Sequence, residues 1–436
     1  MKVNQQQLLD DGFIILREVV PPAQLDDLRA SVEVLVDRQK ALAIRDRKPD
    51  EPPGGVWEVS AQPRVTIDTV VDEATANTVE FCLHENTLGV SHQLMQVSSA
   101  GSGNGDVETG ITQMEVLCSG VHDYGATDWH RDIDCMEQAP LCGLQTDLVE
   151  NMPGYVQWNI ALYDDDVLWV VPGSHRRPDT DEQNRQLLID PCVPLPGGVQ
   201  VKLKAGDGVV YPNIIMHWGS NYTTKLRRTI HLGYRAFGTD IFPYAHHYYW
   251  DGGLAFTKRL SPEVQTRFER FAELHTQERD QIESAFRATL STDAAAFRHR
   301  VAILHPGERG RMVCVMLLAR LAGKIYKLKS TETANLPQLE RARAVAGPAD
   351  YSFYEDFARR FSFAEANTLR QRFSKLSARL QGDAEQCHRH YAKLFTELKP
   401  DAVGAVPNFH SRSLRTLYTK MPADFDVDDF IASWRS

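Results

Sequence analysis

Apolar and polar positions change rhythm twice along the chain. The first 45 residues predict helix, strand, helix. Residues 5–11 are polar with a small apolar stripe, and Phe13-Ile14-Ile15-Leu16 follows Gly12 as a β-rich run. Pro21-Pro22 then opens a helix with Leu25, Leu28, Val32, Val34 and Leu35 on or near one face. From about 56 to 240, short apolar runs are separated by Gly, Pro and Asp turns: 111–117, 156–163, 168–171, 199–203, 208–211 and 229–234. Residues 99–110 read as a loop, and Asp164-Asp165-Asp166 is an acidic turn between two of the runs. Many short strands at this spacing predict a sandwich or barrel. After about 255 the period becomes helical, over 262–290, 309–327, 364–380 and 384–398. The pattern thus divides the chain into a β-rich unit, 1–254, and an α-helical extension, 255–436, expected to serve as a lid or an oligomerisation element, the latter allowing a homodimer.

Composition narrows the function classes only a little. The 436 residues are 42% hydrophobic and 24% charged, enough for a core without staples. A net charge of −10 argues against nucleic-acid and membrane partners, which usually need a basic face. Seven cysteines, at 82, 118, 135, 142, 192, 314 and 387, form no C-x-x-C pair and read as free thiols of a reducing compartment. With no apolar leader in MKVNQQQLLDDG and no membrane-length run, the expected location is cytoplasmic.

The chemistry concentrates in Trp129-His130-Arg131-Asp132. On a strand, residues i and i+2 share a face, so His130 and Asp132 can offer an imidazole and a carboxylate to one ion. A second histidine, His217, ends the apolar run 209–216. Two histidines and one carboxylate suit iron(II) and leave positions open for oxygen and a chelating cosubstrate. H-x-D alone also arises on ordinary surface loops. The sequel carries more: Asn221, Arg227 and the run 229–234 follow His217, and a strand-borne guanidinium can grip a remote carboxylate by its fork.

These segments, in this order, resemble the phytanoyl-CoA dioxygenase family of iron(II)/2-oxoglutarate-dependent oxygenases. The resemblance covers roughly residues 8–240. It rests on Asp11-Gly12-Phe13-Ile14-Ile15-Leu16, W-H-R-D at 129–132, Val156 to Leu162, Val171-Pro172-Gly173-Ser174-His175, Ala205-Gly206-Asp207 and His217…Asn221…Arg227. It implies an α+β fold with a double-stranded β-helix (jelly-roll, cupin-like) core and flanking helices. It implies iron held by His130, Asp132 and His217, and 2-oxoglutarate gripped by an arginine. The family's asparagine-to-arginine interval selects Arg227 and its histidine-to-arginine interval selects Arg228; Arg227 is preferred. Trp158 matches a tryptophan lying against the cosubstrate, with Gln157 a secondary candidate. Gly219 stands where relatives often carry a serine that helps hold 2-oxoglutarate, and the segment 135–155 is longer than expected.

The implied function is oxygen-dependent hydroxylation of a small molecule, with release of succinate and carbon dioxide. Desaturation or cyclisation at the same site and a non-catalytic jelly-roll binding protein are the alternatives. Asp132 disfavours halogenation, which needs a vacant position there. His175 reads as a turn or strand-end residue rather than a ligand, and His246-His247 with its neighbouring aromatics as a seal between the β-rich and helical parts in preference to a lining of the substrate pocket.

Overall fold

The structure is a computed structural model. It describes residues 1–95, 108–133, 140–222, 225–237, 254–305, 308–330, 336–337, 351–402, 404–408, 412–415, 419–421 and 426–435. His246-His247, Cys135 and most of the loop 99–110 lie outside the described residues.

The opening reads as the pattern predicts: α1 (Gln5–Asp11), β1 (Ile14–Leu16) and α2 (Pro22–Arg45). Asn4 caps α1 by accepting from Gln6 N–H at 3.0 Å. Gly12 closes it in the left-handed region, φ 80°, returning its N–H to Leu8 O. On α2, Leu28, Val32, Leu35 and Val36 are buried, whereas Val34 is 43% exposed. The stretch from 56 departs from the all-strand expectation. It holds the short helices α3 (Val56–Val59), α4 (Ile67–Val70), α5 (Asn77–Cys82) and α6 (Val90–Met95) around one strand, β2 (Arg64–Thr66). At four to six residues they are too short for periodicity to separate a turn of helix from a strand.

Seven further strands follow: β3 (Glu108–Cys118), β4 (Tyr155–Ala161), β5 (Leu168–Val170), β6 (Val199–Gln200), β7 (Gly208–Tyr211), β8 (His217–Gly219) and β9 (Arg228–Phe237). Helices α7 (Leu141–Asn151) and α8 (Asp181–Ile189) are inserted between them. The extra segment before β4 thus contains α7. The strands form two antiparallel sheets, of order β1-β7-β4-β9-β3-β2 and β6-β5-β8.

Period-two alternation sorts the large sheet's side chains. Val156, Trp158, Ile160, Val210, Ile230, Leu232 and Tyr234 join a core with Val32 and Leu35 of α2 and Phe81 of α5. Ala161, Val209 and Tyr211, one position out of phase, pack with Leu168, Val170, Val201 and Leu203 of the small-sheet side. The two sheets thus face each other through their second set of side chains.

After 255 the chain is helical: α9 (Pro262–Ser291), α10 (Ala294–Leu304) and α11 (Glu308–Lys329), then helices Tyr351–Arg359, Phe363–Leu398 and Val427–Ala432. The two helices expected at 364–380 and 384–398 are one, because Gly382 needs no break and has open space around it. Val264, Phe268, Phe271 and Leu274 of α9 enter the core beneath the large sheet. The remaining helices form a core with Leu141, Leu144 and Leu148 of α7, and with Ile133 and Ile214. Among the described residues no helix is long and apolar enough to cross a membrane, and the six described cysteines are free thiols.

His175 sits under the first turn of the fold. Its Nε2 lies 2.8 Å from Leu9 O, and a Cβ on Gly12 would fall 2.4 Å from its Nδ1. Burial pushes its pKa down to about 4, against the neighbouring hydrogen bond, so the imidazole is neutral. A folded pKa below the unfolded value of about 6.5 gives stability that is full above about 6.5 and lost as pH falls through about 4. The melting temperature should therefore fall on acidification across that window. His175→Gln should flatten a part worth on the order of 3 kcal/mol, read from thermal unfolding followed by circular dichroism at several pH values.

Candidate metal and cosubstrate site

The 129–132 segment is not a regular strand. His130 forms a single antiparallel bridge to His217, with reciprocal backbone bonds of 2.9 Å, and the chain bends at Asp132. The expected strand is thus replaced by a bridge, while Asp132 N–H donates to Asn213 O at 2.9 Å and holds the register. Side chains anchor the segment on both sides. Trp129 stacks on Trp218 at 5.4 Å between ring centroids and donates to Val193 O at 2.7 Å. Arg131 turns away from the cavity into a buried ion pair with Asp179, 2.8 Å, and donates to Ile214 O at 3.0 Å.

What results is a converging set of three donors. One ligand atom from each of His130, Asp132 and His217 lies within 4.8 Å of the other two. Each imidazole is oriented by its own backbone: His130 Nδ1 lies 2.6 Å from Asp128 O, and His217 Nδ1 2.9 Å from Ile215 O. Those contacts make Nδ1 the protonated nitrogen and Nε2 the lone-pair donor. The two Nε2 atoms face Asp132, at 3.5 Å from Oδ1 and 3.1 Å from Oδ2. Three lone-pair donors converging in a buried pocket suit a divalent cation; without one their dipoles repel. Gln157 donates to Asp132 Oδ2 at 2.8 Å and steadies the carboxylate.

Arg227 lines the same cavity and is 4% exposed. Its Nε binds Asp165 Oδ2 at 2.8 Å, and Thr229 Oγ1 meets the same oxygen at 2.5 Å. Burial alone would raise the Asp165 carboxyl. The Arg227 charge and the hydrogen bonds from Thr229, Val167 and Arg227 hold it below its ordinary range instead. The Arg227 Nη1 is buried with no hydrogen-bond partner among the described residues. A buried guanidinium with one edge spoken for and an idle N–H fits an incoming carboxylate. Arg228, one residue on, points to the opposite face and pairs with Glu33 of α2 at 2.8 Å.

Trp158 is not brought to the site. Odd-numbered residues of β4 face the cavity and even-numbered ones the helices, so Trp158 is fully buried in the helix-side core and donates to Ser91 Oγ at 2.9 Å. Its expected place beside the cosubstrate is corrected by that alternation. Conversely, several cavity residues carry no motif. Asn159 and His231 are cross-strand partners, with His231 Nδ1 2.7 Å from Asn159 Oδ1, and burial lowers the His231 pKa to about 4. Gln62, Arg64, Leu117, Val167, Leu168, Tyr211, Gly219 and Tyr222 also line the cavity. The available signal was polar residues at every second position of otherwise apolar strands. The same pattern marks a solvent-facing strand, and only burial tells the two apart.

No curated protein sequence matches the chain. Among solved structures it is similar to SnoN, a non-heme alpha ketoglutarate dependent epimerase from nogalamycin biosynthesis (16% identity, 54% of this chain and 81% of that one, TM-score 0.36). It is also similar to EctD from S. alaskensis (18%, 53% and 75%, TM-score 0.36) and to AviO1 from Streptomyces viridochromogenes Tue57 (22%, 53% and 92%, TM-score 0.34). The family model for phytanoyl-CoA dioxygenase matches residues 8–230, just over half of the chain, and spans all three converging donors and Arg227. The chain therefore belongs to the phytanoyl-CoA dioxygenase family of iron(II)/2-oxoglutarate-dependent oxygenases.

Proposed function

We propose that this protein is an iron(II)- and 2-oxoglutarate-dependent dioxygenase that hydroxylates a small polar molecule, releasing succinate and carbon dioxide. The observation that carries the reading is the convergence of His130 Nε2, Asp132 and His217 Nε2 in a cavity that also holds Arg227. In this reading His130, Asp132 and His217 hold the iron, and Arg227 receives the cosubstrate's distal carboxylate. The two facing sheets are the halves of a double-stranded β-helix. The bound metal supplies oxygen activation; the protein's part is orientation and exclusion of water.

The chain's own residues do that part as follows. Asp128 O and Ile215 O fix the tautomers of the two histidines, and Gln157 fixes the Asp132 carboxylate. Asp165 turns the Arg227 fork toward the cavity by engaging its Nε edge. Asn159, His231 and Gln62 present hydrogen-bonding groups to the substrate, which favours a polar substrate over a purely apolar one. The extension 255–436 braces the site from behind, since Ile133 beside Asp132 packs in its core.

Anaerobic addition of iron(II) and 2-oxoglutarate to the apo-protein should produce a visible charge-transfer band. Folded protein with no band overturns the assignment. Product analysis separates hydroxylation, in which an oxygen atom is gained, from desaturation or cyclisation, in which two hydrogens are lost.

A further inference from the structure

We propose that Tyr222 is a second cosubstrate-binding residue, donating its hydroxyl to the distal carboxylate beside Arg227, and that glycine at 219 exists to make room for it. This rests on the reading of the site as an iron/2-oxoglutarate centre.

Gly219 closes β8, two residues after His217, so the two positions face the same side of the strand. Its backbone is not in the left-handed region, so conformation does not require glycine there. Space does. A Cβ at 219 would lie 2.0 Å from the Tyr222 hydroxyl oxygen, 2.5 Å from Cζ and 2.8 Å from Cε1. Any side chain at 219 would need the volume that the tyrosine tip fills. The phenol thus returns over β8 and brings a hydroxyl to the side of the strand that carries His217.

Tyr222 is 7% exposed, lines the same cavity as Arg227, and has the guanidinium carbon 5.6 Å from its ring centroid. Its hydroxyl lies 3.2 Å from Thr127 Oγ1, where either oxygen can be the donor. Thr127 has one hydroxyl proton, with Gly219 O as a second acceptor at 3.4 Å; when that proton goes to Tyr222, the phenol keeps its own for a carboxylate oxygen. Asp165 already pairs with the Arg227 charge and occupies its Nε edge, which leaves the Nη end for a carboxylate. A carboxylate entering here meets the Arg227 Nη1, buried and without a partner among the described residues, and its two oxygens, with two lone pairs each, can take a further donor beside the guanidinium. Two tyrosines line the cavity: the Tyr211 hydroxyl is engaged by Gln157, and the Tyr222 ring lies beside the Arg227 guanidinium.

The test measures binding, not turnover. Protein loaded with iron(II) under nitrogen is titrated with 2-oxoglutarate and, separately, with 2-oxopentanoate, which has the same keto-acid end but no distal carboxylate. Tyr222→Phe keeps the ring over Gly219 and removes only the hydroxyl. It should raise the Kd for 2-oxoglutarate about tenfold and leave that for 2-oxopentanoate unchanged. Equal weakening of both ligands, or no weakening of either, overturns the proposal. Gly219→Ser alone should weaken 2-oxoglutarate binding by displacing the ring. Gly219→Ser combined with Tyr222→Ala restores both space and a hydroxyl, and should recover much of the affinity lost in Tyr222→Ala; no recovery counts against the exchange. If wild-type protein binds neither keto acid, the iron/2-oxoglutarate reading itself fails, which is a different outcome.

Discussion

Asp132→Ala should lower substrate-coupled succinate release by roughly a thousandfold or more while the protein stays folded. Asp132 supplies the one anion among the three converging donors, and its removal leaves two neutral imidazoles to hold a dication. Those imidazoles do not move with it. His130 and His217 each keep a backbone partner, Asp128 O and Ile215 O, when the Asp132 carboxylate is gone. The fold should tolerate the change because the Asp132 side chain is 25% exposed, and its backbone N–H bond to Asn213 O does not depend on the side chain. Iron content, melting temperature and succinate formation measured on the same preparation check this. Unchanged succinate release in a folded, iron-poor variant would show that the ligand set is wrong.

Arg227→Gln and Arg228→Gln should differ sharply although the residues are neighbours. The first removes a charge-assisted contact to the cosubstrate, worth about 1.5–3 kcal/mol, and should raise the half-saturating 2-oxoglutarate concentration roughly 10- to 150-fold. It also strands the buried Asp165, so the melting temperature should drop as well. Adding Asp165→Asn should recover much of that stability without recovering 2-oxoglutarate affinity, because it removes the stranded charge and leaves the cavity without its guanidinium. Arg228→Gln breaks a pair with Glu33, whose side chain is 43% exposed, on the far face of the sheet. Its effect on 2-oxoglutarate should be within about twofold and on stability at most about 1 kcal/mol. Steady-state titration of 2-oxoglutarate with each variant, beside thermal melts, reads both quantities. Equal effects of the two substitutions would remove Arg227 from its role.

Several strands were legible as apolar runs because both faces of the large sheet are covered. Residues 208–211 form a strand over just those positions, and 156–163 contain most of β4. The helices between 56 and 95 were not legible as helices, since segments of four to six residues are too short to show a helical period. His130-x-Asp132 was legible as a pair, but for an incomplete reason. The chain bridges β8 at one residue only, and a backbone bond to Asn213 O, not a strand, holds Asp132 beside it. Trp158 shows the opposite failure. A resemblance assigns a role to a position, whereas the phase of a strand assigns its side chain to a face.

The sequence by itself determined the order of elements at the start, the change to helices after 255, and the chemistry on offer: two imidazoles, a carboxylate and an arginine at family spacing. These follow from local period and from residue type, which need no distant partner. Tertiary structure alone decided which neighbours share a cavity. It sent Arg227 inward and Arg228 to Glu33, tied Arg227 to Asp165 across 62 positions of sequence, and placed the Tyr222 ring over Gly219. Such choices depend on which face each strand buries and on what volume remains between two packed sheets. Packing fixes both together, and no single segment contains either.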